Sequence, residues 1–262
     1  MTEFKKLKVV TKYELLKHFR RKRLYLVLGI AIAVELSVLI GLPILGRGYP
    51  ENVMSTAAML SIGPSFATIG AVFFAGDAIA GEFERKTGYI LFPNPVRRRT
   101  IVIGKYVAGY IAIGSLVLVA YGMVCVSLMG IHGQVPIETA GSLGLCLLFA
   151  GSILSLTFLF SSIAKGAMSA TVMTLAFVMI VSGVLDGVLT AAGQPSWFLL
   201  SKAGDSILTI YGGYSALIPG GAGMSEELLA GPDIGLCAIA MAAYLIVLFP
   251  LSIWIATRRE MI

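Results

Sequence analysis

Charged residues are scarce in this sequence. They make up 13% of the 262 residues, whereas hydrophobic residues make up 57%. An ordinary soluble domain has about a quarter charged residues, and a soluble fold of this length could not bury so much apolar surface. The composition therefore excludes an ordinary soluble domain. It predicts an all-α, polytopic membrane protein with no attached soluble domain, because no long polar stretch is present.

Residues that could carry chemistry are equally few. The three cysteines, Cys125, Cys146 and Cys237, lie in apolar runs without metal-ligand spacing, so we interpret them as buried apolar residues. The two histidines, His18 and His132, are predicted on opposite sides of the membrane, which excludes a histidine-based metal cluster. No Gly-x-x-x-x-Gly-Lys-Ser/Thr motif is present, so any energy from ATP has to come from another polypeptide. We therefore expect a non-catalytic chain with no metal or cofactor of its own.

Six apolar stretches are long enough to cross a bilayer, which takes about 20 residues. The first follows a basic segment but is too long for the core of a signal peptide. The almost continuous stretch from 140 to 190 is divided at residues 164–166, where a lysine and a glycine predict a turn. The predicted spans are 24–45, 54–80, 101–129, 140–163, 168–190 and 234–256, within a transmembrane domain of residues 24–262.

Lysine and arginine predict the orientation of these spans. Of the 20 lysines and arginines, only Arg47 and Lys202 lie on one side of the predicted membrane. Basic residues concentrate in cytoplasmic segments. Both termini are therefore expected in the cytoplasm, which requires an even number of spans.

Two segments outside the spans also have predicted structure. Residues 1–23 are expected to form an amphipathic helix on the inner membrane surface, since apolar residues recur at helical spacing among basic ones. The alternative is a basic flank without fixed structure. Residues 191–233 are too long for a structureless loop, and short helices that dip into the outer leaflet are expected there. The apolar residues of the first segment are Phe4, Leu7, Leu15 and Phe19.

Three acidic residues fall within the predicted spans, where burying a charge is costly. Glu35 lies near the middle of span one, and Asp77 and Asp186 lie toward the ends of spans two and five. All three are candidates for a polar translocation path. The alternative is an interhelical hydrogen bond. It remains open for Glu35 and is favoured for Asp77 and Asp186, which could also extend to the interface.

The segment 81–105 between spans two and three is the most informative part of the sequence. It begins as a short amphipathic helix with both signs of charge, ends at Pro93 and Pro95, and continues into an arginine cluster that would meet lipid headgroups. The positive-inside rule alone explains the arginines but not the compact helix.

The motifs Glu84–Gly88, Leu91–Pro95 and Arg97–Arg99 with Gly104 and Lys105 resemble the signature of ABC type-2 permeases. They are most similar to the six-span group that includes the nitrous-oxide-reductase maturation permeases. The resemblance implies an N-terminal elbow helix, a cytoplasmic coupling helix, and external re-entrant helices between spans five and six.

The resemblance also implies a function. Such permeases work in pairs, and each binds an ATPase subunit that holds ATP and Mg²⁺. We expect the permease subunit of an exporter in a prokaryotic plasma membrane, with two copies of this chain and no nucleic-acid partner. The alternatives are an ion-coupled secondary transporter using Glu35 and Asp186, a membrane-embedded enzyme, and a membrane anchor. The residues expected to couple to the ATPase are Phe83, Glu84, Arg85, Lys86, Gly88, Tyr89 and Arg97.

Overall fold

The computed structural model describes residues 2–20, 22–46, 48–84, 97–213 and 231–258. This part of the chain is almost entirely helical and contains no strand. It includes six helical segments that are long and apolar enough to cross a membrane. The prediction of an all-α, six-span membrane protein is confirmed.

The helices follow the predicted order of spans. Helix α1 (Glu3–Arg20) precedes span one, which is α2 (Lys22–Gly46). Span two comprises α3 (Val53–Leu60), α4 (Gly63–Ala75) and α5 (Ala80–Glu84). Spans three and four are α6 (Arg98–His132) and α7 (Glu138–Ile163). Span five joins α8 (Ala167–Leu175) to α9 (Ser182–Ala191) through a π-helical turn, Ala176–Val181. Helix α10 (Leu200–Thr209) precedes span six, α11 (Ile234–Arg258).

Span two is interrupted, although its sequence predicts one continuous helix over 54–80. Asn52 caps the start of helix α3, because its side chain accepts a hydrogen bond from the Met54 amide at 2.9 Å. The helix ends at Leu60, and α4 starts with Gly63 and Pro64. Proline has no amide hydrogen and is favoured in the first turn of a helix, where no such hydrogen bond is needed. The break therefore follows from Pro64. A hydropathy pattern does not detect it, because hydropathy ignores the missing amide hydrogen.

Helix α7 lies at the centre of the bundle and packs against α4, α6 and α11. Small residues permit the close approach of these helices. A Cβ atom at Gly151 would lie 2.8 Å from a Leu245 methyl group. The Ser152 hydroxyl donates to the Met241 carbonyl at 2.7 Å, and the Tyr106 hydroxyl donates to the Gly151 carbonyl at 3.0 Å. In a bilayer the lipid is as apolar as the helices, so the hydrophobic effect does not drive helix association. Close packing and interhelical hydrogen bonds of this kind stabilise the bundle instead.

Spans one, five and six expose most of their apolar side chains. Ile40, Met179 and Ile239 are examples, with exposed fractions of 59%, 69% and 64%. In water these surfaces would be unfavourable, but in a bilayer they contact lipid or another membrane-embedded chain. The exposed faces account for the hydrophobic excess of the composition.

Helix α1 packs along the start of α6. A Cβ atom at Gly104 would lie 2.6 Å from the Val10 Cγ1 atom, so glycine allows this approach. The four apolar residues predicted to form one stripe do not share an environment. Leu7 and Leu15 are partly buried, whereas Phe4 and Phe19 are exposed. The difference arises because α1 covers α6 with one face and leaves the opposite face open.

Candidate functional site

A buried lysine joins three helices at the end of the bundle where α1 lies. The Lys105 Nζ atom of α6 is 2.8 Å from the Glu14 Oε1 atom of α1 and 2.8 Å from the Glu82 Oε1 atom of α5. The Lys105 side chain is only 5% exposed. Lys17 approaches the same carboxylates, at 3.2 Å from Glu14 and 3.9 Å from Glu82. We call Glu14, Glu82 and Lys105 the ionic triad.

The triad contains two carboxylates and one ammonium group, and Lys17 supplies the second positive charge beside it. Burial disfavours the charged form of Glu14, but the ammonium groups of Lys105 and Lys17 outweigh burial, so the pKa of the Glu14 carboxyl lies below its ordinary value. Removing one partner of such a buried pair leaves an uncompensated charge. The three helices are therefore held in one arrangement as long as all three charges are present.

The turn between α4 and α5 is attached to span four by one serine. The Ser161 hydroxyl of α7 accepts hydrogen bonds from the Ile79 and Ala80 amides at 3.1 and 3.0 Å, and it donates to the Gly76 carbonyl at 3.0 Å. Backbone groups that lose helical partners at a helix end need others. A single buried hydroxyl thus fixes the geometry of this turn.

Glu84, the last described residue before residues 85–96, contacts the start of span five. The Glu84 Oε2 atom accepts a hydrogen bond from the Ala167 amide at 2.7 Å, at the first residue of α8. A carboxylate at a helix N-terminus satisfies a free amide and interacts favourably with the helix dipole. Residues 76–84, which we call the 76–84 segment, are therefore connected to α1, α6, α7 and α8.

The structure places only part of the predicted ATPase-coupling set. Phe83 is partly buried against the main apolar core, and the Glu84 carboxylate contacts α8. Arg97 is exposed at the residue before α6. The other predicted coupling residues, Arg85, Lys86, Gly88 and Tyr89, lie outside the described residues.

Glu35 is the most deeply buried acidic residue in the described part of the chain. It is 1% exposed, and neither of its carboxylate oxygens has a hydrogen-bond partner among the described residues. On α2, Ala31 packs with the cluster that contains Phe66 of α4, and Leu39 packs with the cluster that contains Leu60 of α3. This register places Glu35 opposite the break in span two.

The other two candidates for a translocation path occupy different environments. The Asp186 Oδ2 atom of α9 is 3.2 Å from the Lys202 Nζ atom of α10, and this ion pair connects span five to α10. The Ser182 and Ser201 hydroxyls reinforce the same contact at 2.6 Å. Asp77 lies in the turn between α4 and α5 and faces a groove beside α8. The three acidic residues therefore do not form one cluster.

Sequence patterns did not identify the triad or the Ser161 contact. Lys105 was interpreted as a basic residue at the start of span three and as part of the motif that resembles the permease signature, and Glu14 was not singled out within the basic helix. The sequence did contain a signal for a buried ion pair. Lys105 lies one to two turns inside an apolar helix, where a lysine needs a partner of opposite charge. Which carboxylates supply that partner depends on packing between distant segments.

These contacts define a multi-span membrane protein in which four helices contact one short segment, the 76–84 segment, at one end of the bundle. The chain matches the family model described as ABC-2 family transporter protein over residues 10–197. The match covers more than half of the chain, which therefore belongs to the ABC-2 transporter family. It includes the triad, the 76–84 segment and spans one to five. The comparison with curated proteins gives no match.

Proposed function

We propose that this chain is the membrane subunit of an ATP-driven exporter and that a separate ATPase subunit supplies the energy. Membership of the ABC-2 family indicates a permease subunit of an ABC transporter. The observation that carries the finer proposal is the convergence of four helices on the 76–84 segment, directly before residues 85–96, whose sequence motifs resemble those of a coupling helix.

The contacts support a mechanical role for this segment. On this proposal the ATPase binds residues 85–96, and ATP closes a pair of ATPase subunits. The displacement then passes through Glu82 and Lys105 to span three, and through Glu84 to the start of span five. Packed helices respond to such displacements as rigid bodies with discrete arrangements. ATP and Mg²⁺ would remain on the ATPase, and the present chain would carry no catalytic residue.

The proposal includes a pair of permeases and a defined orientation. The exposed apolar faces of spans one, five and six offer surface for a second copy of this chain within the bilayer. The triad lies near the first end of α6, and His132 is the last residue of that helix. With the basic residues concentrated on the first side, both termini would be cytoplasmic in a prokaryotic plasma membrane. Glu35 would face the substrate path beside the break in span two.

Co-purification tests this proposal. The tagged chain is isolated from native membranes in mild detergent, and bound proteins are identified by mass spectrometry and assayed for ATP hydrolysis. We expect an ATPase with a phosphate-binding loop motif to accompany the wild-type chain. We expect the Arg85→Ala, Lys86→Ala double variant to lose it or to uncouple its activity. Lys12→Ala, which removes an exposed basic residue of α1, is the matched control and should retain the ATPase.

The opposite result would support the ion-coupled alternative. If no ATPase accompanies the wild-type chain and the double variant behaves like Lys12→Ala, residues 85–96 do not couple to an ATPase. Transport driven by an ion gradient and sensitive to Glu35→Gln would then account for the buried carboxylate.

A further inference from the structure

We infer that Glu35 is a proton-binding site, which is occupied while spans one and two are packed together and is emptied when water enters between them. Glu35 lies near the middle of α2 and is only 1% exposed. Neither of its carboxylate oxygens has a hydrogen-bond partner among the described residues. An ionised carboxylate needs a counter-charge or hydrogen-bond donors when it is buried. The surroundings of Glu35 decide whether either is available.

The side chain of Glu35 is directed at the break in span two. Ala31 and Leu39 lie one turn to either side of it on α2, and they pack in clusters with Phe66 of α4 and Leu60 of α3. A helical side chain leans toward the N-terminus of its own helix, which here is the direction of Ala31 and the first turn of α4. Helix α4 begins after the break and continues for 13 residues. The carboxyl group therefore projects toward a helix N-terminus inside span two and not toward lipid.

Uncharged residues surround Glu35 on the described elements that pack against it. Helices α3 and α4 contain no ionisable residue. Phenol and thiol groups are uncharged near pH 7, so they do not balance a negative charge. The titratable groups of this kind that lie nearest in register are Tyr121 and Cys125 of α6, Tyr211 after α10, and Tyr49, whose hydroxyl donates to a carbonyl of α2 at 2.9 Å.

A proton satisfies this site better than the N-terminus of α4 does. A helix dipole stabilises a nearby negative charge far less than the burial of an unpaired carboxylate destabilises it. Protonation removes the buried charge and gives the carboxyl group one hydrogen-bond donor. The carbonyl groups at the end of α3 lose their helical partners at the break, so they are acceptors for such a donor. The geometry therefore favours a protonated Glu35.

The contact that encloses Glu35 is narrow. Val34 and Leu36, its neighbours in the chain, are 40% and 43% exposed, so only one side of α2 is covered. A displacement of span one away from the break would admit water to the carboxyl group, and hydration favours the ionised form. Proton release is in this way tied to the movement of span one. The buried residues of α2 form a single stripe, which comprises Leu24, Val27, Ala31 and Glu35.

Infrared spectroscopy detects the proton directly, because protonated and ionised carboxyl groups absorb at different frequencies. The purified full chain in phosphatidylcholine nanodiscs is measured at pH 7, where exposed carboxyl groups are ionised. We expect a protonated-carboxyl band that is lost in Glu35→Gln and retained in Glu51→Gln, the control at an exposed position. Should Glu35→Gln fail to fold, Glu35→Leu gives the same comparison. Absence of the band in the wild-type chain, or its persistence in the Glu35 variants, would overturn the inference.

Two leucine variants test the link between the proton and the packing of span one. Ala31→Leu places a wedge in the buried stripe one turn from Glu35, whereas Ala33→Leu adds the same volume at an exposed position. As the pH is raised, the band should disappear at a lower pH in Ala31→Leu than in the wild-type chain, and Ala33→Leu should match the wild type. Equal behaviour of the two variants would contradict release by water entry.

A change of salt separates a proton from a metal cation. The spectrum at pH 7 is recorded in sodium chloride and again in N-methylglucamine chloride, and we expect the band of Glu35 in both. A band that appears only without sodium would mean that the carboxylate binds a metal cation, which would overturn proton binding. Co-purification of the ATPase is a separate readout, so the permease proposal can stand if Glu35 carries no proton.

Discussion

Replacing Lys105 with methionine removes the central charge of the ionic triad and leaves Glu14 and Glu82 with only the more exposed Lys17 as a partner. Both carboxylates are largely buried, with side-chain exposures of 17% and 15%. Breaking a buried ion pair by removing one partner costs about 3 kcal/mol or more. For a chain of this length, that cost corresponds to a fall in the thermal midpoint of roughly 6–12 °C.

The assay is thermal unfolding of the purified chain in one detergent, at pH 7 and a fixed scan rate. Lys6→Met is the matched control, because Lys6 pairs with the more exposed Glu3 at 3.2 Å. An exposed pair contributes about 0–1 kcal/mol, so the control should change the midpoint little.

A triple variant tests the physical reason for the effect. Lys105→Met combined with Glu14→Gln and Glu82→Gln removes the three triad charges and leaves Lys17, which is exposed enough to remain solvated. Uncharged replacements of buried ion pairs are often close to neutral. We expect the triple variant to recover much of the lost stability. If it is no more stable than Lys105→Met alone, the uncompensated carboxylates are not the cause, and lost packing of the lysine stem would explain the change.

Three further substitutions probe the contacts around the triad. Gly104→Ala should cost about 1–3 kcal/mol through overpacking, and Val10→Ala should restore most of it, as measured by the thermal midpoint. The stabilisation from Glu14 is complete above its ordinary pKa of 4.5 and is lost as the pH falls through its lowered value. Glu14→Gln should therefore flatten the loss of thermal stability below pH 4.5, and an unchanged profile would contradict this. Ser161→Ala leaves two buried amides without an acceptor and should cost about 1–3 kcal/mol, whereas Ser37→Ala, at an exposed position, should not change the unfolding midpoint.

The spans could be predicted because each depends on local composition alone. A run of apolar residues long enough to cross the membrane is visible without knowledge of its neighbours. The break in span two was missed for a related reason. Pro64 lies within an apolar stretch that satisfies the hydropathy criterion, although it cannot donate the hydrogen bond that a continuous helix requires.

The candidate site was less predictable, because it depends on contacts between distant residues. The sequence indicated the importance of the region around Glu84 and Lys105. It did not indicate that Lys105 contacts Glu14, which is 91 residues away. Nor did it indicate that the Glu84 carboxylate accepts a hydrogen bond from the first amide of α8. Local patterns identify residues that need partners, whereas the packed bundle determines which partners they have.

The π-helical turn Ala176–Val181 has a consequence for how span five tolerates changes in length. A π-helical turn holds more residues than an α-helical turn, so it acts as a one-turn bulge with an extra residue within an otherwise regular helix. Deleting one residue there could return the backbone to α-helical geometry while the Glu84 contact and the Asp186–Lys202 pair keep their positions. A deletion within α8 or α9 would instead rotate all that follows by about 100°. Length variation in this span should therefore be absorbed at one place along the helix.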